Sequence, residues 1–490
     1  MKIAILSSYT IDPITYDQPH HEWYVSKYTQ WQEDVFDKNS TLYQFAPDVI
    51  LVSLDAENFD WLLHNLNVLA DNFSCVFVHS FFRSYLSPLK FLPKQKLEDC
   101  QRKLDLYSLT SKFSNVNVLD IDEIISECGA DTFDSRYYYL AKMPFSDKAM
   151  VSVKNQLENA IQAKLGVRKK CLILDLDNTL WGGLLGDGVE NLILADDGFG
   201  KAYFDFQKAI LELSQSGIIL ALCSKNDETT ALHAINNHPY MVLREKNIAA
   251  WKINWMPKYE NIQQISEQLN IGIDSFVFLD DSPVERESIR SLLPEVFVPD
   301  LPSDAAAYTN FLCNLSCFET FSLTQEDQSR NIMYVQERHR NKQKSLLSYD
   351  DFLQDLEIKV SIHKLNDMNI NRISQLTQRT NQFTISGKKY SVENLKQIDK
   401  DVYCISYTDR MGDQGVVGVA IVDETELDSF LMSCRILGRG VEHLFYFLIC
   451  DKYNPRKVSL VETGRNKAAQ DFFTKKKEIP IWIEIEFSEL

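Results

Sequence analysis

The sequence predicts an α/β protein of several domains. Its 490 residues are too many for one hydrophobic core, and domains of roughly 150 residues each are the natural expectation. Short apolar runs of strand type alternate with helical stretches over the first two thirds of the chain, the pattern of parallel sheets covered by helices. Beyond about residue 350 the strand-type runs lie closer together, which predicts a mixed α+β domain.

Taken in order, residues 1–145 carry strand candidates at 3–6, 49–54, 75–79 and 116–119 and form a small α/β sandwich. Residues 146–167 are amphipathic and polar, and read as a linker helix. Residues 168–320 contain further apolar runs at 171–174, 218–223 and 276–279, a Rossmann-like parallel core. Residues 321–349 are highly polar and helix-permissive, a second helical linker. Residues 350–490 mix helix with strand candidates at 402–407, 416–422, 429–434 and 458–461.

Composition narrows the function classes. A formal charge of −18 argues against a nucleic-acid partner. The first apolar run is too short for a signal peptide, and no later run approaches membrane-spanning length. The ten cysteines are scattered, and the nearest pair, Cys313 and Cys317, has neither CxxC spacing nor a histidine nearby. Reduced thiols in a soluble cytoplasmic protein are the simple expectation.

Chemistry concentrates in four places. The run Cys171-Leu-Ile-Leu-Asp175-Leu-Asp177-Asn-Thr179-Leu-Trp181-Gly182-Gly183 is apolar and ends in two carboxylates spaced i, i+2. Side chains alternate along a strand, so Asp175 and Asp177 are expected on one face, at the carboxyl end where open α/β sheets place ligands. That pair suits a metal ion and a phosphate ester, one carboxylate attacking phosphorus and the other shuttling a proton. A second strand-type run ends at Cys223-Ser224-Lys225-Asn226, Lys258 stands at the start of a helical pattern, and a third run ends in Asp280-Asp281-Ser282-Pro283. Singly, each has a bland alternative: a surface turn, a solvated lysine, a serine capping a helix. In this order they resemble the four motifs of haloacid dehalogenase (HAD) phosphohydrolases.

That resemblance implies Asp175 as nucleophile, Asp177 as acid and base, and Ser224, Thr179 and Lys258 around the phosphoryl group. It also implies Mg²⁺ held by Asp175, the main-chain carbonyl of Asp177 and Asp281, with Asp280 in or near the first shell. The gaps between Asp175, Ser224 and Lys258 hold about one helix and a loop each, which predicts a capless core.

The full strings around Asp175, Ser224 and Asp280-Asp281-Ser282-Pro283-Val284-Glu285-Arg286 are similar to the FkbH-like branch of HAD subfamily IIIC. The resemblance implies an SGNH-hydrolase-like domain before the HAD core and an acetyltransferase-like (GNAT) domain after it. It further implies that a small phosphorylated metabolite, 1,3-bisphosphoglycerate or a related acyl phosphate, is dephosphorylated. Its acyl group is then loaded on the phosphopantetheine thiol of an acyl carrier protein. In this setting Cys223 is either a thiolate that accepts the acyl group or a small packed core residue. Arg435-Ile-Leu-Gly438-Arg439-Gly440 matches the R-x-x-G-x-G signature of GNAT folds. With Asn466 downstream it is either a pocket for coenzyme A or a phosphopantetheine arm, or a tight turn that needs glycine for shape. Ser7 or Ser8 occupies the place of the SGNH nucleophile, but Asp134-Ser-Arg-Tyr137 lacks the histidine of that family. Independent esterase activity is therefore not expected. Two alternatives stand beside carrier loading: a Mg²⁺-dependent phosphatase whose outer domains only bind, and a GNAT-type acyltransferase with a silent HAD scaffold.

Overall fold

The computed structural model describes residues 1–490 except 17, 28–29, 84–92, 167, 322, 324, 345–347, 465, 475–482 and 488–490. Parts of the expected linkers at 146–167 and 321–349 thus lie outside the described residues. The chain divides into two compact units, Met1–Leu165 and Gly166–Leu490.

In the first unit, β1 (Lys2–Ser7), β2 (Glu22–Val25), β3 (Val49–Ser53), β4 (Val76–His79) and β5 (Val116–Leu119) form a parallel sheet of order β2-β1-β3-β4-β5. Apolar side chains leave both faces, as a parallel sheet covered by helices requires. The helix Asp147–Lys164, expected as a linker, is one of those covers. Ser146 accepts a hydrogen bond from Ala149 N–H (3.2 Å) and caps it. Its Met150, Val153, Leu157 and Ile161 pack with Ile3, Ile5 and Phe145 in one cluster.

The second unit contains two sheets. β6 (Cys171–Leu174), β7 (Ile219–Ser224), β8 (Ala250–Ile253) and β9 (Phe276–Leu279) are parallel, in the order β8-β7-β6-β9. Odd and even positions feed separate cores: Leu172 and Leu174 on one face, Ile173 and Phe278 on the other. Among the described residues, the segments from β6 to β7 and from β7 to β8 hold one α-helix each, Gly200–Gln215 and Glu228–Asn237. No cap domain is inserted there, as the motif spacing predicts.

The remaining strands are β10 (Lys359–Lys364), β11 (Asp401–Asp409), β12 (Gly412–Val422), β13 (Glu426–Met432), β14 (Lys457–Val458) and β15 (Glu484–Phe487). They form a mixed sheet, β14-β13-β12-β11-β10-β15. The helix Val441–Tyr453 covers one face through Val441, Leu444, Phe445 and Ile449, and the helix Ile370–Arg379 covers the other through Ile370, Ile373 and Leu376. The molecule is therefore α/β and multidomain, with parallel Rossmann-like sheets and a separate mixed sheet. The polar helix Gln325–Lys344 lies against β7 and β12 within the second unit. Its Asn331 accepts from Leu220 N–H (3.1 Å), and its Tyr334 and Val335 sit in the β6–β9 core. Among the described residues no helix is long and apolar enough to cross a membrane.

Candidate active site

β6 and β9 run side by side with Leu174 opposite Leu279, so Asp175 and Asp280 emerge next to each other. Asp175 N–H still donates to Leu279 O (3.0 Å). Chain connections leave β6 in one direction to β7 and return on its other side at β9. The two aspartates thus flank the switch point, the crevice open sheets use for ligands.

Lys258 closes the crevice. It opens the helix Lys258–Leu269, whose Ile262, Ile265 and Leu269 fill the Phe278 face of the sheet. Its ammonium lies 3.0 Å from Asp175 Oδ1 and donates to Asp280 Oδ2 at 2.5 Å. All three side chains are buried. Burial alone would depress the lysine, but the flanking Asp175 and Asp280 carboxylates outweigh it and hold the ammonium charged. Burial pushes the Asp175 carboxyl up to about 6 against the opposing pull of Lys258, with Asp280 repulsion adding to the rise. Asp280 and Asp281 are likewise raised by burial.

Asp175, Asp280 and Asp281 offer carboxylate oxygens within 4.8 Å of one another. Three carboxylates around one ammonium leave a surplus of two negative charges, and the donors are hard oxygens. That is the donor set and charge of a site for a small divalent cation such as Mg²⁺. Asp280 is already engaged at both oxygens, by Lys258 and by Ser282 N–H (2.9 Å), so Asp175 and Asp281 have the freer lone pairs.

The strand ladder stops at Leu174, so the expected alternation of Asp175 and Asp177 gives way to a turn in which Asn178 is left-handed (φ 54°). Asp177 Oδ1 accepts from Trp181 Nε1 (2.9 Å) and Leu185 N–H (3.1 Å). Its Oδ2 accepts from Asn226 Nδ2 (3.2 Å), which also donates to Ser224 Oγ (3.1 Å). Ser224 in turn hydrogen-bonds Asp175. Asp175, Asp177 and Ser224 are therefore linked through Asn226, a residue to which the sequence reading gave no role. Thr179, expected beside phosphate, accepts Asp281 N–H on Oγ1 (3.2 Å) and ties the β6 turn to the β9 turn. Arg286 was also missed. Its Nη1 donates to the main-chain carbonyls of Asp280 and Asp281 (both 2.8 Å), fixing the acidic turn. Its signal was its place in the first turns of the helix Pro283–Leu292, which Ser282 caps.

Cys223 is fully buried, in the apolar layer that contains Ile173, Ala221 and Phe278. Its thiol faces Lys258 O (3.8 Å). Burial pushes the thiol well above its ordinary range, and Asp175 and Asp280 add to the rise. In this conformation Cys223 is a packed thiol rather than a thiolate.

The residues expected in a pantetheine pocket have partners inside the protein. Arg439 donates to Tyr407 Oη (3.1 Å) and Arg435 O (2.8 Å) and pairs with Glu337 of the helix Gln325–Lys344. Arg435 Nε donates to Ser433 Oγ (3.3 Å), and its guanidinium lies over the Tyr334 ring. Gly438 and Gly440 are left-handed (φ 79° and 82°), which glycine alone adopts at little cost. The Gly438 N–H donates to Glu442 Oε1 (3.0 Å). Asn466 is buried and bonds Thr384 O (2.9 Å) and Val461 O (2.8 Å). These contacts hold the Arg435–Gly440 turn against the helix Gln325–Lys344, and Asn466 against Thr384 and Val461.

In the first unit, Ser7 Oγ donates to Tyr9 O (2.8 Å) and Ser8 Oγ accepts from Asp55 N–H (2.9 Å), both buried. Asp134 caps the helix Ser135–Ala141 by accepting from Arg136 and Tyr137 N–H. None of these contacts activates a serine.

The N-terminal part of the protein BF1531 from Bacteroides fragilis, containing a phosphatase domain and solved with Mg, aligns with this chain at a TM-score of 0.61 and 30% identity. The alignment covers 66% of this chain and 95% of that one. The chain belongs to the HAD-like phosphatases. No family model matches it, and no curated protein does. Asp175, Ser224, Lys258, Asp280 and Asp281 thus lie together at the carboxyl ends of β6, β7 and β9.

Proposed function

We propose that this protein is a Mg²⁺-dependent phosphohydrolase that works through an aspartyl-phosphate on Asp175. The observation that carries this reading is the buried ammonium of Lys258 between Asp175 and Asp280, with the Asp281 carboxylate in reach and two negative charges left over. The Mg of the Bacteroides fragilis phosphatase domain supports it. Bound beside Asp175 and Asp281, with the Asp177 carbonyl and Asp280 adjoining, Mg²⁺ would offset the repulsion between Asp175 and a phosphate dianion.

The chain's own residues supply the rest. An Asp175 oxygen attacks phosphorus and the bond to the leaving oxygen breaks, with Asp177 giving that oxygen its proton. Lys258 and Ser224 hold the equatorial oxygens as charge shifts. Asp177, now a base, takes a proton from the water that cleaves the aspartyl-phosphate. Asn226 holds Asp177 and Ser224 at a fixed separation through both steps.

For the substrate we infer an acyl phosphate of the 1,3-bisphosphoglycerate type. The phosphopantetheine thiol of an acyl carrier protein attacks the acyl carbonyl, the carbonyl–oxygen bond breaks and that phosphate leaves. Asp175 takes the remaining ester phosphate, so that a glyceryl or related acyl thioester is left on the carrier. The motif strings support this, as does a catalytic edge free of an inserted cap, which leaves room for a bulky partner. A second reading is favoured by the sealed Cys223 and the Glu442-capped Gly438: hydrolysis of another small phosphorylated metabolite, the outer domains only binding. The assembled carboxylate and lysine site disfavours a silent HAD scaffold beside an active GNAT domain.

Intact-mass spectrometry separates the first two. Incubation with 1,3-bisphosphoglycerate, Mg²⁺ and holo-carrier is expected to add a glyceryl mass to the carrier. Phosphate release with an unchanged carrier mass supports the second reading. No Mg²⁺-dependent release from any acyl phosphate or phosphate ester would overturn both.

A further inference from the structure

The amino ends of the β6–β9 strands, opposite the acidic crevice, carry a different charge. Lys170 precedes β6 and is held between its neighbours, its N–H donating to Ser275 O (2.8 Å) and its carbonyl accepting from Ile219 N–H (2.9 Å). Arg330, on the helix Gln325–Lys344, donates to Gly217 O (3.4 Å) just before β7. Arg168 donates to Ser216 O (3.3 Å) and Oγ (3.2 Å) beside it. From the helix Ile370–Arg379, Arg379 reaches Asp327 at 2.5 Å, and Arg330 pairs with the same carboxylate. Arg435 joins from the turn after β13.

Among the described residues the negative charge here is smaller. Asp327 is fully buried and shared by two guanidiniums and the Gln375 amide. Asp274 faces Lys170, and Glu319 faces Arg168. Glu337, near Arg435, is already paired with Arg340 and Arg439. Among the described residues the Lys170 ammonium has no hydrogen-bond or ion-pair partner, and Arg168 Nη1 is buried without one. Burial, then mutual repulsion from Arg330 and Arg379, pulls Lys170 and Arg168 below their ordinary ranges. Clustered cations in a chain of net charge −18 call for a compensating anion. Planar guanidiniums beside a compact ammonium match a multivalent oxyanion, which takes several charged donors at once.

We propose that the cationic cluster of Lys170, Arg168, Arg330, Arg379 and Arg435 is a phosphate-type oxyanion site, separate from the catalytic carboxylates and independent of Mg²⁺. Its ligand is a phosphate or pyrophosphate group, free or esterified. The cluster joins the amino ends of the phosphatase-sheet strands to elements that pack on the C-terminal sheet, so a bound anion would bridge the two layers of this unit.

Calorimetric titration of the full chain with pyrophosphate, inorganic phosphate and glycerol phosphate, in EDTA at constant ionic strength, tests this. Binding without Mg²⁺ is expected, weakened at least about tenfold by Lys170→Met and less by Lys170→Arg. Tighter binding of glycerol phosphate than of inorganic phosphate identifies an ester as the ligand; the reverse identifies the free ion. Pyrophosphate should also slow labelling of Lys170 by an amine-reactive ester in the unsubstituted protein, mapped by peptide mass spectrometry, so the test survives a variant that does not fold. No binding at millimolar pyrophosphate, or equal affinity in folded Lys170→Met, would overturn the proposal, as would unchanged labelling of Lys170.

Discussion

At the scale of single residues, the site balances charge by position. Asp175→Asn keeps the shape and removes the nucleophile, and phosphate release should fall by at least about a thousandfold, read by a phosphate-release assay. Lys258→Met has a different signature. It leaves Asp175 and Asp280 buried without their shared cation, and losing one partner of a buried ion pair costs about 3–5 kcal/mol. Thermal unfolding in EDTA should show that loss, and Mg²⁺ should recover part of it. A Lys258→Met protein as stable as the parent in EDTA would contradict the charge balance described. The acids themselves were legible in the sequence because their signal is local, an apolar strand running into aspartate. Asn226 and Arg286 were not. Asn226 acts by bridging β6 and β7 turns, and Arg286 by reaching back to carbonyls, and both depend on strand register that no local pattern encodes.

At the scale of elements, strands buried on both faces were readable and short or half-exposed ones were not. β2 and β8 are edge strands whose sequences, Glu-Trp-Tyr-Val and Ala-Trp-Lys-Ile, mix polar and apolar residues, so neither gives the continuous apolar run of a central strand. β10 has a period-two signal in Val360 and Ile362 that is brief and flanked by helix-permissive sequence. The helix Gln325–Lys344 looked like a polar linker because it is held by ion pairs more than by an apolar stripe. Its Arg340 makes a fully buried two-point pair with Asp409 of β11 (2.7 Å each). Arg340→Met takes the two-point partner from Asp409, which keeps Tyr407 Oη (2.8 Å), Met411 N–H (2.9 Å) and Arg439 (3.9 Å). It should destabilise the second unit by about 3 kcal/mol, the low end for a broken buried pair. Gly217 is left-handed (φ 90°), and a methyl group there would run into the Asp327 main chain. Gly217→Ala should therefore lower the melting temperature as well, by several degrees in a calorimetric scan.

At the scale of the whole molecule, one buried histidine ties the stability of the first unit to pH. In the first, His79 is buried with its Nδ1 bonded to Ser53, which also bonds Tyr9. Burial pulls the imidazole down to about 3. Between that value and the ordinary 6.5 the unfolded chain binds the proton and the folded chain does not, so stability is present above pH 6.5 and is lost as pH falls. The loss from pH 6.5 to 5 is about 2 kcal/mol. Chemical denaturation of the full chain at both pH values should show it in the first unit's transition, and His79→Gln should flatten the dependence. The multidomain α/β organisation was legible from length and strand rhythm. The helix Asp147–Lys164 was not recognisable as part of the first core, because its apolar stripe becomes meaningful only against Ile3, Ile5 and Phe145.

The central claim is that Asp175 carries the phosphoryl group in a cation-dependent step. The most direct measurement is rapid quenching of the protein with an acyl phosphate and Mg²⁺, borohydride reduction of the trapped acyl phosphate, and peptide mass spectrometry. Modification at Asp175 that disappears in EDTA is the predicted result. Turnover with no modification at Asp175, or with the label on another residue, would contradict the account.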